Sequence, residues 1–168
     1  MIIDDNKSQK LITLAFNAGQ EIIRIYSKKV TKKLKSDNSP VTNADLKANS
    51  IICKGLKKYF PKVPIVSEEL DNSHIKNKNM FWLVDPLDGT KEFLKGNGEF
   101  TVNIALIKDK KPVYGLIYMP AKNKIYYTKN KSSYFAKFDQ KGNLKNAKVI
   151  GVKKRKKNVL VFSRSHGL

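Results

Sequence analysis

The 168-residue chain has little of several things, and each shortage narrows what it can be. It has one cysteine, Cys53. That excludes an internal disulfide framework and fits a reducing compartment. Its place in an apolar stripe predicts a small core residue rather than a reactive thiol. No apolar run approaches the roughly 18 residues that a membrane helix needs. The longest uncharged stretches are 11–20 and 112–121. Asp4 and Asp5 stand where an export signal would be basic, so none is expected. Arginine is scarce: only Arg24, Arg155 and Arg164, against 31 lysines. Carboxylates are scarce too, with 14 Asp and Glu against 34 Lys and Arg, for a formal net charge of +20.

A charge of +20 raises the question of nucleic acid. Surfaces that read bases use arginine forks and stacked aromatics, and this chain has almost no arginine. Lysine is spread along the whole sequence, with Asn and Ile also abundant, as AT-rich codons produce. The densest runs, 28–35 and 153–157, read as solvated faces, and no specific nucleic-acid partner is expected. A cationic surface concentrates polyanionic small substrates near the protein. The expected location is cytoplasmic, with a surface charge that also permits peripheral attachment to the inner face of the membrane.

What remains is a core of ordinary size: 40% apolar residues, nine Gly and six Pro, in a length that fits one domain. Leu11, Leu14, Ala15, Ala18, Ile22, Ile25 and Tyr26 recur at three and four, which predicts a helix over 6–29. Residues 28–38 read as an exposed basic connection, and Ser39-Pro40 breaks any helix there. Thr42 or Asn43 can cap a second helix over 44–60, whose apolar line is Leu46, Ile52, Cys53, Leu56 and Phe60. The period then changes to two. Strands are expected at 63–67, 81–84, 100–107, 113–119, 124–128, 134–138 and 159–162, with 100–107 and 113–119 antiparallel. Two helices followed by strands at this spacing predict an α+β domain with the helices packed on a mainly antiparallel sheet.

The few acids are unevenly placed. Nine of the 14 lie between Asp37 and Glu99, where a cluster suits a hard divalent cation such as Mg²⁺. The densest information is in Trp82-Leu83-Val84-Asp85-Pro86-Leu87-Asp88-Gly89-Thr90-Lys91-Glu92-Phe93. A buried strand delivers Asp85 at its end, and Pro86 forbids further ladder pairing. A turn returns Asp88 three residues later, with the Leu87 carbonyl between the two acids. Gly89 permits close backbone approach. Thr90 begins a short helix whose free N–H groups suit a phosphate oxygen. Two carboxylates at such range need a cation, which also supplies the electrophile for phosphoryl chemistry. Glu68, at the end of the neighbouring strand, is a natural third carboxylate. Asp45 can serve as a base or as an outer-shell ligand through water. Glu69 and His74 read as solvated neighbours.

Four strings in order carry a resemblance: Asp37-Asn38-Ser39-Pro40-Val41-Thr42 with Ala44-Asp45; Val66-Ser67-Glu68-Glu69; 85–93 running on to Gly98-Glu99-Phe100-Thr101-Val102-Asn103-Ile104-Ala105-Leu106; and Ser163-Arg164-Ser165-His166. Together they resemble the inositol monophosphatase superfamily of Mg²⁺-dependent, lithium-sensitive phosphatases. Lys91-Glu92-Phe93 points to its bacterial 3′(2′),5′-bisphosphate nucleotidase branch.

The resemblance implies the N-terminal part of the layered αβαβα sugar-phosphatase fold. An N-terminal metal- and phosphate-binding domain is expected at 1–157. The first strand of a C-terminal α/β domain, otherwise missing, is expected at 158–168. It implies Mg²⁺, with two or three ions in the intact family. Glu68, Asp85 and the Leu87 carbonyl would hold the first ion, and Asp85 and Asp88 would share the second. That second site is incomplete here, because its further aspartate belongs to a Trp-Asp motif that this sequence lacks. Thr90 and Glu68 would orient the attacking water and Asp45 would accept its proton. Glu68, Leu87, Asp88, Gly89 and Thr90 would meet the phosphate, and His166 would lie near the nucleotide. The implied substrate is 3′-phosphoadenosine 5′-phosphate or its 5′-phosphosulfate. An inositol or sugar monophosphatase is the alternative within the superfamily. A non-catalytic basic remnant that binds nucleic acid or membrane is the alternative outside it.

Overall fold

The computed structural model describes residues 3–27, 32–34, 40–75 and 78–152. Helix α1 (Asp5–Tyr26) begins where Asp4 caps it, its carboxylate accepting from the Lys7 N–H at 2.8 Å. Leu11, Ala15, Ala18 and Ile22 form its fully buried stripe. Strands β1 (Lys32–Leu34) and β2 (Pro40–Thr42) pair antiparallel. The sequence reading treats 28–38 as connection throughout, because three lysine-rich residues show no period.

Helix α2 (Asn43–Tyr59) is capped by Thr42, one of the two expected caps, and is followed by Phe60-Pro61. Its buried face is Ala44, Ala48, Ile52, Cys53 and Leu56. Leu46, expected on that line, is instead 51% exposed. Ala44 and Ala48 take the inward positions, so Leu46 faces outward about 200° around the helix from Ala44. Cys53 is buried and free, as expected, and burial pushes its thiol pKa up.

The main sheet has seven strands in chain order: β3 (Ile65–Ser67), β4 (Met80–Asp88), β5 (Thr101–Lys108), β6 (Lys111–Met119), β7 (Lys124–Lys129), β8 (Ser132–Phe138) and β9 (Leu144–Ile150). Only β3 and β4 run parallel; every later pair is antiparallel. The α+β architecture expected from the sequence is therefore the one observed. Alternate residues turn Trp82, Val84, Val102, Ile104, Leu106, Leu116 and Ile125 to the helices, and each is at most 1% exposed. Burying side chains of this size stabilises by roughly 1.5–3 kcal/mol each. The opposite face carries Leu83 and Ile117, about half exposed among the described residues.

Two further details depart from the sequence reading. Strand β4 does not stop at Asp85. It pairs Asp85 with Asn103 and Asp88 with Thr101, so three steps on β4 oppose two on β5. The extra residue is a bulge. Pro86 and Leu87 sit within it, where the missing proline N–H breaks no ladder bond. The polar strand β9 was not expected at all. The stretch 153–168, with the expected strand 159–162, the expected domain boundary at 158 and His166, lies outside the described residues.

Candidate active site

The expected site residues other than His166, which lies outside the described residues, are found where β3 and β4 end and where α2 begins. Asp45 is the third residue of α2 and is 1% exposed. One oxygen, Oδ2, closes the capping box: it accepts from the Thr42 N–H at 2.8 Å and from the Thr42 hydroxyl at 2.5 Å. The other, Oδ1, accepts from the Thr90 hydroxyl at 3.0 Å. The Thr90 Oγ also lies 3.2 Å from the Leu87 carbonyl. An ionised carboxylate is the stronger acceptor, so the single hydroxyl proton belongs towards Asp45. Burial pushes the Asp45 carboxyl up, and the bonds from Thr42 and Thr90 oppose that shift.

Asp85, half-buried on β4, accepts from the Leu87 N–H at 3.2 Å. Burial, then the charges of Glu68 and Asp88, push its carboxyl up to about 7. Glu68 follows β3 directly, and its N–H donates to the Val84 carbonyl at 3.1 Å, which carries the parallel ladder one step further. That bond sets Glu68 beside Asp85, whose carboxyl its charge helps to raise. Asp88 is exposed at the end of β4 and accepts from the Asn103 side-chain amide at 3.1 Å.

Gly89 turns the chain with φ +90°. A Cβ there would stand 2.9 Å from the Glu99 carbonyl, so both the conformation and the close approach require glycine. Helix α3 (Thr90–Lys95) follows with no capping side chain on its first-turn amides. Glu69, read from the sequence as solvated, is half-buried, and its N–H reaches the Ser67 hydroxyl at 3.5 Å. His74 falls in the 3₁₀ turn Ser73–Ile75, with its side chain outside the described residues.

The sequence reading gave no role to a buried polar stitch between the two elements that carry Asp45 and Glu68. Asn49, one turn beyond Asp45 on α2, accepts from the Ser67 hydroxyl at 2.8 Å and from the Cys53 thiol at 3.1 Å. Asn72 clamps the Ser67 backbone, accepting from its N–H at 3.1 Å and donating to its carbonyl at 2.8 Å. Ser67 directly precedes Glu68, so α2 and the end of β3 are held in one register. Thr42 and Asn103 were inside recognised strings, which was the available signal. Asn49 carried none.

Glu68, Asp85 and Asp88 do not close into a cage. Among the described residues, no three His, Cys, Asp or Glu side chains are gathered closely enough to hold an ion as they stand. Instead burial and the neighbouring Glu68 and Asp88 charges raise the Asp85 carboxyl to about 7. The donor set fits Mg²⁺ by its chemistry: carboxylates and a carbonyl, all oxygen, with a raised acid whose charge a cation would compensate.

The inositol monophosphatase family profile matches residues 5–167. A 3′(2′),5′-bisphosphate nucleotidase CysQ from Buchnera aphidicola is 44% identical over 161 residues, which is 94% of this chain and 59% of the relative. The crystal structure of CysQ from Bacteroides thetaiotaomicron, described as a bacterial member of the inositol monophosphatase family, superposes with a TM-score of 0.68 at 38% identity. That match covers 82% of this chain and 51% of that one. An IMPase/NADP phosphatase structure complexed with NADP and Ca²⁺ matches with a TM-score of 0.68 at 25% identity, over 77% of this chain and 51% of its own. The chain thus spans between half and three-fifths of the length of these proteins. With a profile match from the first helix almost to the last residue, the chain belongs to the inositol monophosphatase family.

Proposed function

We propose that this chain carries the metal- and phosphate-binding part of a Mg²⁺-dependent phosphatase. Its substrate is 3′-phosphoadenosine 5′-phosphate, or the 5′-phosphosulfate form, from which it removes the 3′-phosphate. Residues 1–157 are read as the α+β domain that does this work. The observation that carries the reading is the meeting of Glu68, Asp85 and Asp88 beside the tight Gly89 turn, where burial and the two neighbouring charges push the Asp85 carboxyl up to about 7. The 44% identity to a bisphosphate nucleotidase supports the substrate class. A charge of +20 favours encounter with a bisphosphate.

Glu68, Asp85 and the Leu87 carbonyl would hold the first cation, and Asp85 and Asp88 a second. When bound, the metal supplies positive charge that acidifies water and neutralises the phosphate. The chain's own residues do the rest. The turn 87–90 and the uncapped amides of α3 receive the phosphate oxygens. The Thr90 Oγ accepts a hydrogen bond from the attacking water while its own proton points to Asp45, 3.0 Å away. Glu68 is the second group assigned to orient the water. The water oxygen bonds to phosphorus as the bond to the 3′ oxygen breaks; the water proton moves towards Thr90 and Asp45, and the released 3′ oxygen takes a proton from solvent to become the hydroxyl. His166 is assigned to the nucleotide end, and a cytoplasmic setting follows from the substrate. Among the described residues, no helix is long and apolar enough to cross a membrane.

A substrate panel tests the assignment. Phosphate release from 3′-phosphoadenosine 5′-phosphate should exceed release from inositol 1-phosphate. The reverse order would move the protein to the inositol monophosphatase branch.

A further inference from the structure

We infer that Asn103 is a positioning residue for the Asp88 carboxylate, held in place by Thr101, and that this three-residue relay sets how tightly the acid cluster takes a divalent cation. The inference rests on the cation-binding reading above. Asn103 lies on β5 directly opposite Asp85. Its side chain does not bond Asp85. It reaches past the β4 bulge, and its Nδ2 donates to the Asp88 Oδ2 at 3.1 Å. The Thr101 hydroxyl, two residues away on the same face, donates to the Asn103 Oδ1 at 3.0 Å.

Chemistry fixes the sense of this chain. A carboxylate only accepts, so the atom that Asn103 turns to Asp88 is its amide nitrogen. The amide oxygen must then point the other way, where the Thr101 hydroxyl meets it. Both ends of the amide are committed, so its plane cannot rotate without loss of a hydrogen bond. Asp88 needs such support. It is exposed, it follows a bulge, and the next residue is a glycine. Left alone, its side chain would sample several rotamers. With one oxygen tied to Asn103, the other is turned to a fixed direction. Outer partners that orient a ligating carboxylate characteristically govern metal affinity by about 10–100-fold.

The test is a Mg²⁺ titration followed by thermal shift, on the full chain. Wild type is compared with Asn103→Ala, Thr101→Val, Asp88→Asn and the Asn103→Ala/Asp88→Asn double variant. The Mg²⁺ concentration for half-maximal stabilisation should rise roughly 10-fold or more in Asn103→Ala. It should rise less in Thr101→Val, which leaves the amide in place but frees its plane. In the Asp88→Asn background, Asn103→Ala should add nothing further, because its effect passes through Asp88. An unchanged midpoint in Asn103→Ala overturns the inference, as does an equal added effect with and without Asp88. If wild type itself ignores Mg²⁺, the cation reading fails first and takes this inference with it. A measurement on wild type alone guards against a variant that does not fold. The Asn103 side-chain NH₂ resonances should move when Mg²⁺ is added, and fixed resonances under a saturating metal response would contradict the relay.

Discussion

Asp45 shows how one side chain can serve fold and chemistry at once. Its Oδ2 completes the cap of α2, and its Oδ1 faces Thr90. Asp45→Asn should therefore separate the two roles. Asparagine keeps one acceptor oxygen for the Thr42 N–H, so the cap and Tm should be largely kept. Loss of the proton acceptor should lower kcat by about 10²–10⁴-fold in a phosphate-release assay. Thr90→Ser should keep most activity and Thr90→Val should not. The raised Asp85 carboxyl gives a pH signature. Between about pH 4 and about pH 7 the folded chain binds more protons at Asp85 than the unfolded chain does. Without metal, this contribution is fully present below pH 4 and is lost as pH rises to about 7. Mg²⁺ competes with the same proton, so its thermal stabilisation should grow from pH 6 to pH 8. Asp85→Asn should flatten both trends, and a metal response that weakens with pH would contradict the assignment. These residues were legible in the sequence because their strings are dense. Asn49 was not, because its partner Ser67 is 18 residues away. Only the fold brings them together.

At the scale of elements, α1 and α2 meet at a contact that local pattern does not announce. A Cβ at Gly55 would fall 2.1 Å from the Leu14 Cδ2, so the helices can approach only because position 55 has no side chain. Gly55→Ala should destabilise by about 1–3 kcal/mol despite the better helix propensity of alanine. Adding Leu14→Ala should relieve the clash, so the two effects should be strongly non-additive in chemical denaturation. Additivity would mean that the helices do not pack this way. Both helices were legible from their period. The sheet was less so. Strand β4 outran its expected end because a bulge absorbs Pro86, and proline stops a ladder only where an N–H is required. Strand β9 (Leu144–Ile150) has lysines at 145 and 148 and apolar residues at 144, 147, 149 and 150, and is mostly exposed, so it shows no period of two to read. At a sheet edge such lysines discourage further pairing. The β5–β6 and β7–β8 turns, Asp109-Lys110 and Asn130-Lys131, take positive φ at both residues without any glycine. That is the hairpin geometry matching strand twist.

The whole molecule combines an acid cluster with an overwhelmingly basic exterior. The charge of +20 is self-repulsive, and salt screens it over a Debye length of about 10 Å at 0.1 M. Raising NaCl from low to physiological strength should therefore raise Tm. A fall would mean that surface ion pairs, such as Lys129–Asp5 at 2.9 Å, outweigh the repulsion. At this scale too, much was legible: the α+β class and the family resemblance. The central claim is that the cluster around Asp85 performs metal-dependent phosphate hydrolysis. The most direct measurement is phosphate release from 3′-phosphoadenosine 5′-phosphate across a Mg²⁺ series, with wild type and Asp85→Asn side by side. The account predicts release that requires Mg²⁺ and is lost in the variant. Release that ignores Mg²⁺, or that survives Asp85→Asn unchanged, would contradict it.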